Sequence, residues 1–173
     1  MRVLGIDPGT VVVGYGVIDS DGSEMNVVDY GVLKASPKLP PAERLGDLYQ
    51  GLVKIVKRYK PDLLAVEQPF VAKNIASALA IGRAQAMAIL AATNSNIPIY
   101  EYTPRQVKQQ VASYGASSKE QIQQMVRLQL GLEEIPEPND AADALAVALC
   151  HLSEVHVEGL LGEKPLRKRR RTV

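Results

Sequence analysis

The stretch "RVLGIDPGTVVVGYGVID" (residues 2–19) decides the architecture. Its first run, Arg2 to Asp7, is apolar in the middle and stops at Pro8-Gly9, a pair that ends a strand and turns the chain. "GYGVID" (14–19) reads as a second strand, "SDG" (20–22) as a turn and "EMNVVDYGVLK" (24–34) as a third strand. Three strands joined by short turns make an antiparallel meander. From Pro41 to Tyr59 the period becomes helical, with Leu45, Leu48, Leu52, Ile55, Val56 and Tyr59 on one face. "DLLAVEQ" (62–68) is then a buried strand ending at Glu67, "NIASALAIGRAQAMAILAAT" (74–93) a long alanine-rich helix and "IPIYEY" (97–102) another strand. Two short helices follow, each opened by a capping signature, Thr103-Pro104-Arg105-Gln106 and Ser118-Lys119-Glu120-Gln121. "GLEEIPEPN" (131–139) is a linker, and Asn139 is placed to cap a last helix. This order predicts an α/β fold: a mixed sheet of five strands, the meander plus parallel strands, with helices on both faces. Residues 1–157 read as one domain and 158–173 as a basic, disordered tail without apolar period.

Composition narrows the classes. No stretch approaches the ~18 apolar residues needed to span a membrane, and no secretory leader is read at the N-terminus. Cys150 is the single cysteine, which excludes an internal disulfide, suits a reducing cytoplasm and reads as a small buried hydrophobe. The net charge of +1 conceals an uneven distribution. Residues 164–173 hold six basic residues and no acid, so residues 1–163 carry 14 basic against 19 acidic residues, a net of −5. Within that body, residues 68–132 hold Lys73, Arg83, Arg105, Lys108, Lys119 and Arg127 against Glu101 and Glu120. A basic middle and a basic tail on an acidic body suit a polyanionic partner.

The acids point further. "NDAADALAVALCHL" (139–152) is a helix almost without a polar face, yet it opens with Asp140 and Asp143, three residues apart and on one face. Asp143 is in line with Val147 and Cys150, so its surroundings are partly dry. An isolated buried carboxylate is costly, and a second one beside it raises the cost. Asp7 and Glu67 each close a hydrophobic strand at its C-terminal end, where open α/β sheets bind ligands. With those two strands adjacent and the last helix against them, Asp7, Glu67, Asp140 and Asp143 converge. Either some of these carboxylates stay protonated, or divalent cations fill the site. All-oxygen ligation suits Mg²⁺ or Mn²⁺ rather than zinc. Two such ions, about 3.5–4 Å apart, clamp an in-line phosphoryl displacement. Taken singly, Asp7 reads equally as a turn residue, Glu67 as half of an ion pair and Asp140 as a complement to the helix dipole. Asp143 has no such ordinary explanation.

"GIDPGT", "GYGVID", "VEQPFVAKN", "TPRQVKQ", "GASSKEQIQQMV" and "DAADALAVALCH" resemble, in order and spacing, the RuvC family of bacterial Holliday-junction resolvases, from Met1 to about His151. The resemblance implies an RNase H-like fold, a homodimer, and Mg²⁺- or Mn²⁺-dependent cutting of four-way DNA junctions in homologous recombination and repair. It implies symmetric paired nicks that leave 5′-phosphate and 3′-hydroxyl ends, with two ions per active site. The family's catalytic and metal-binding acids fall on Asp7, Glu67, Asp140 and Asp143. Its DNA contacts fall on Lys108 and Lys119, and on Phe70 with Lys73 in the segment after Glu67. Phe70, the single phenylalanine, then stacks on unpaired junction bases, where stacking contributes ~1–3 kcal/mol per base. The helix at 74–93 falls on the family's dimer contact, and the RuvA and RuvB branch-migration proteins are the implied partners. His151 and His156, near the end of the last helix, read as helix-end cations rather than ligands. A sugar-kinase or actin-like ATPase shares the "GIDPGT" hairpin, but it needs two such domains around its nucleotide. A non-catalytic junction scaffold has no use for Asp143 in an apolar helix.

Overall fold

The computed structural model describes residues 1–68, 75–112 and 118–160. Strands β1 (Arg2–Asp7), β2 (Val12–Ser20) and β3 (Met25–Lys34) form the expected meander. Helix α1 (Pro41–Tyr59), β4 (Leu63–Glu67), helix α2 (Ile75–Thr93) and β5 (Ile99–Tyr102) follow, then helices α3 (Pro104–Ala112), α4 (Lys119–Gln129) and α5 (Asn139–Leu160). The five strands lie in the order β3-β2-β1-β4-β5. β1 runs antiparallel to β2 and parallel to β4, and β5 runs parallel to β4.

Local chemistry sets the ends of these elements. Helix α1 starts with Pro41, whose missing N–H is an orphan at a first helical position in any case. It stops at Lys60, which turns left-handed (φ 47°) and donates its N–H to Val56 O, before Pro61. Helix α4 has the complete capping box read in the sequence: Gln121 N–H donates to Ser118 Oγ at 3.3 Å and Ser118 N–H to Gln121 Oε1 at 2.8 Å. Helix α3 opens in the same way, with Gln106 N–H on Thr103 Oγ1 at 3.2 Å and Thr103 N–H on Gln106 Oε1 at 2.9 Å. Asn139 does not cap α5. It is the first residue of that helix, and Pro138 O accepts from Ala141 N–H at 2.8 Å. The Asn139 side chain accepts instead from Gln123 Nε2 at 3.0 Å, tying α4 to the start of α5.

Strand alternation sorts side chains onto two cores. Leu4, Ile6, Val17, Leu64 and Val66 face α1 and α2. Val3, Ile18, Leu63, Ala65 and Tyr102 face α3, α4 and α5. By length and composition α2 is apolar enough to cross a membrane, which corrects the expectation that no segment comes near that limit. Ala84, Gln85, Met87, Ala88, Ala91 and Ala92 are buried in the folded domain, so one face of α2 belongs to the core.

Helix α5 lies unusually close to the sheet. A Cβ added at Gly5 of β1 would stand 2.1 Å from Ala144 O and 2.9 Å from Ala148 Cβ. At Gly14 of β2 it would stand 1.9 Å from Asp140 O, and at Gly16 2.7 Å from Leu145 Cδ2. Glycine inside a strand marks such a close backbone approach. Facing it, Ala141, Ala144, Leu145 and Ala148 are all fully buried. Gly14→Ala therefore forces backbone against backbone, and a thermal melt is expected to show Tm lowered by at least about 5 °C. Gly46→Ala, in α1 with nothing within 4 Å of the added Cβ, serves as the contrast and is expected to stabilise by about 0.5–1 kcal/mol.

Candidate active site

The sheet register carries two carboxylates to one level. Ile6 pairs with Val66, so Asp7 and Glu67, the next residues, end adjacent parallel strands side by side. Both share the alternation of Gly5 and Ala65 and so stand on the α5 face. Asp7 also pairs with Gly14, the residue over which the Asp140 carbonyl sits. The close approach of α5 thus delivers Asp140 to Asp7, and Asp143 follows one helical turn later on the same face. The structure brings together all four acids singled out in the sequence.

Their electrostatics follow from the proximity. Burial pushes the Asp7 carboxyl up to about 8, with Glu67, Asp143 and Asp140 reinforcing the shift and Lys119 opposing it. Burial likewise raises Glu67 to about 7, with Asp143 adding and Lys108 and Lys119 opposing. A cation does stand beside Asp143: Lys119 Nζ lies 2.7 Å from Asp143 Oδ2, with the two side chains 52% and 24% exposed. That hydrogen bond raises the Lys119 ammonium above its ordinary value. Lys119 opens α4, so the Ser118 capping box and the Gln123–Asn139 bond together aim it at the acids. Lys108, half-buried on α3, is the second cation in electrostatic reach of Glu67. Phe70 and Lys73 lie outside the described residues.

The donor set is all carboxylate oxygen and strongly self-repelling, which fits a hard divalent cation and no softer metal. Among the described residues no three Asp, Glu, His or Cys side chains form a ready-made cage. Asp143 Oδ2 is instead engaged by Lys119 Nζ.

His151 departs from expectation. It is not a helix-end cation, because α5 continues to Leu160 and leaves His151 in mid-helix, 3% exposed. Burial lowers its pKa to about 4, so the ring is neutral near pH 7. Its Nδ1 lies 2.7 Å from Tyr102 Oη, which donates to Glu154 Oε2 at 2.7 Å. With the Tyr102 proton given to Glu154, His151 supplies the Nδ1–H of the other bond. Tyr102 itself is raised, first by burial and then by the bond to Glu154. Cys150 is fully buried with its thiol pushed up to about 12, an unreactive core residue as expected. No period or spacing announced the Tyr102–His151–Glu154 bonds, since they join β5 to α5 across 49 residues and more.

Comparison with known proteins agrees with this arrangement. The family model for the crossover junction endodeoxyribonuclease RuvC matches residues 3–151. The RuvC protein of Dehalococcoides mccartyi is 56% identical over 154 residues, covering 89% of this chain and 92% of its own length. That of Chloroflexus aggregans is 52% identical over 151 residues, covering 87% and 92%. Among solved structures, Thermus thermophilus RuvC in complex with a Holliday junction substrate superposes with a TM-score of 0.85 at 37% identity, covering 91% of this chain and 96% of that one. The yeast mitochondrial Holliday junction resolvase shares the fold at 15% identity (TM-score 0.64, covering 92% and 83%). The sheet and its helices are thus RNase H-like, and the chain belongs to the RuvC family of crossover junction endodeoxyribonucleases.

Proposed function

We propose that this chain, a crossover junction endodeoxyribonuclease by family, resolves four-way DNA junctions by Mg²⁺-dependent paired nicks, leaving 5′-phosphate and 3′-hydroxyl ends. Mn²⁺ substitutes for Mg²⁺ in this reading, and Asp7, Glu67, Asp140 and Asp143 hold two ions per active site. The observation that carries it is the meeting of four acids at one end of the sheet, two of them held above the ordinary carboxylate range by burial and by neighbouring acids. When bound, the ions supply charge neutralisation and Lewis acidity at the scissile phosphate. The chain's own residues do the rest. The four carboxylates fix the level of the reacting phosphate, and the glycine floor keeps Asp140 against Asp7. Lys108 and Lys119 hold backbone phosphates, which gives affinity without reading sequence. Phe70 stacks on unpaired bases beside the cut, with Lys73 on the backbone.

The junction has two equivalent strands to cut, and a two-fold dimer presents two matching sites. Helix α2 is the surface for it. Ile75, Leu79 and Leu90 are 70%, 61% and 53% exposed, and their spacing puts them on one stripe. The basic tail adds weak DNA contact, RuvA and RuvB are the branch-migration partners, and the reducing cytoplasm is the compartment.

Incubation of the protein with a synthetic four-way junction, with and without Mg²⁺, tests this reading. Paired nicks are expected only with metal, and Asp7→Asn, Glu67→Gln or Asp143→Asn is expected to slow them by about 10²-fold or more. Binding without nicks in the wild type would leave a scaffold instead. For Lys119→Met, the dependence of junction binding on salt is expected to weaken by roughly one ion.

The shifted carboxyls also set a pH dependence. Asp7 and Glu67 bind protons more tightly in the folded chain than in the unfolded one, so without metal their contribution to stability is largest at low pH. It is lost as pH rises from about 4 through about 8. Melts of metal-free protein are expected to show wild type losing Tm relative to Asp7→Asn across that interval. Mg²⁺ at ten times its Kd, near pH 8, is expected to raise the wild-type Tm by roughly 3–5 °C and leave Asp7→Asn nearly unmoved.

A further inference from the structure

Helix α2 contains an anomaly. Gln85 sits among buried alanines and is itself only 8% exposed. Its amide Nε2 donates to Glu101 Oε2 at 2.7 Å, and Gln68 Nε2 lies 3.5 Å from the same oxygen. Glu101 belongs to the edge strand β5, and Gln68 directly follows Glu67, whose strand pairs with β5 at Glu67↔Tyr102. The Gln68 N–H continues that pairing, donating to Tyr102 O at 2.8 Å. One carboxylate therefore bonds firmly to the middle of the helix whose outer stripe is the proposed dimer surface, and lies at the limit of hydrogen-bond reach from the end of β4, one residue past a candidate metal ligand. Gln68 and Gln85 also stand before and after residues 69–74 in the chain, the segment that carries Phe70 and Lys73.

We infer that Glu101 is a positioning residue for junction cleavage, holding the Glu67 end of β4 in fixed relation to α2. The inference rests on the nuclease reading above. A charge-assisted bond to a buried amide is short and directional, so it resists sliding of α2 along the sheet. On its α5 face the edge strand Ile99–Tyr102 is held by the Tyr102 bonds to His151 and Glu154, and on its α2 face Glu101 makes the polar link. Glu101 stands on the α2 face and touches none of the acids, so its effect on cutting passes through Gln68 and the backbone of β4.

Three proteins test this: wild type, Glu101→Ala and Glu101→Gln, which keeps an acceptor oxygen at the same reach. On a synthetic four-way junction with Mg²⁺ at saturating enzyme, Glu101→Ala is expected to slow cleavage about tenfold while the junction Kd stays within about twofold. Glu101→Gln is expected to recover most of the rate. Gln68→Met, which leaves the Glu101–Gln85 bond intact, is expected to reproduce the loss and serves where Glu101→Ala fails to fold. Hydrogen exchange at the Gln68 amide is read beside the rates and is expected to speed up in Glu101→Ala, whether or not the protein cuts DNA. An unchanged cleavage rate, an equal loss in Kd, no recovery by Glu101→Gln or unchanged exchange would each overturn the inference. Absence of nicks in the wild type, with faster Gln68 exchange in Glu101→Ala, would overturn the nuclease reading and leave the mechanical link standing.

Discussion

Everything at the acidic end of the molecule depends on how near a helix backbone comes to a sheet. Most helices rest on a sheet through a layer of side chains. Here Gly5, Gly14 and Gly16 remove that layer from β1 and β2, and the first turns of α5 descend until the Asp140 carbonyl lies where a Gly14 side chain would be. A carboxylate reaches only a short way from its backbone, so a helix standing a few ångströms higher would leave Asp140 and Asp143 out of range of Asp7. Packing and chemistry are one constraint at this point: the residues that permit contact are the residues that assemble the charge.

That assembly is unfavourable in itself. Four carboxylates at one site repel in a poorly solvated setting, and among the described residues no arginine pairs with them. It supplies Lys119 on Asp143 and the longer-range field of Lys108 on Glu67. Lys119 is half exposed, so its hold on Asp143 is a weak, exchangeable one. A permanent buried ion pair would fix the site as a structural element. In the proposed function, a partly hydrated lysine leaves Asp143 free to take a stronger cation and is itself freed to meet a phosphate.

Much of this was legible in the chain because it is written in local periods. The two-residue alternation of β1, the helical stripe of α1 and the capping boxes at Thr103 and Ser118 are short-range signals, and their boundaries hold to within a residue or two. The acids were legible for a different reason: Asp143 violates the pattern of an apolar helix, and a violated pattern points to a site. What escaped depends on contacts between residues far apart in the chain. Nothing local tells that α5 continues to Leu160 and so buries His151 beside Tyr102. Nothing tells that Asn139 serves Gln123 rather than its own helix. The glycine floor had a readable signal, three glycines at in-phase positions of two antiparallel strands, but which helix fills it is a matter of tertiary packing. Gln85 had one as well, a polar residue in an alanine helix, though its partner Glu101 lies 16 residues on.

The alternation of a strand explains how one short sheet serves two purposes without mixing them. Glu67 and Tyr102 point to the α5 face, where the charge is gathered and the neutral His151 is sealed. Gln68 and Glu101, each one residue away, point to the α2 face, where the exposed apolar stripe looks outward. A single step along the backbone therefore separates the side that gathers the acids from the side that carries the exposed apolar stripe, and the two share the ladder between β4 and β5. A shift of α2 cannot reach the acids through side chains, because the sheet stands between them. It can reach them only by moving the strand, and a strand anchored by paired hydrogen bonds moves as a unit or not at all. In the proposed dimer, cutting a symmetric junction twice gains from that stiffness, since the distance between two cuts is then set by backbone rather than by rotamers.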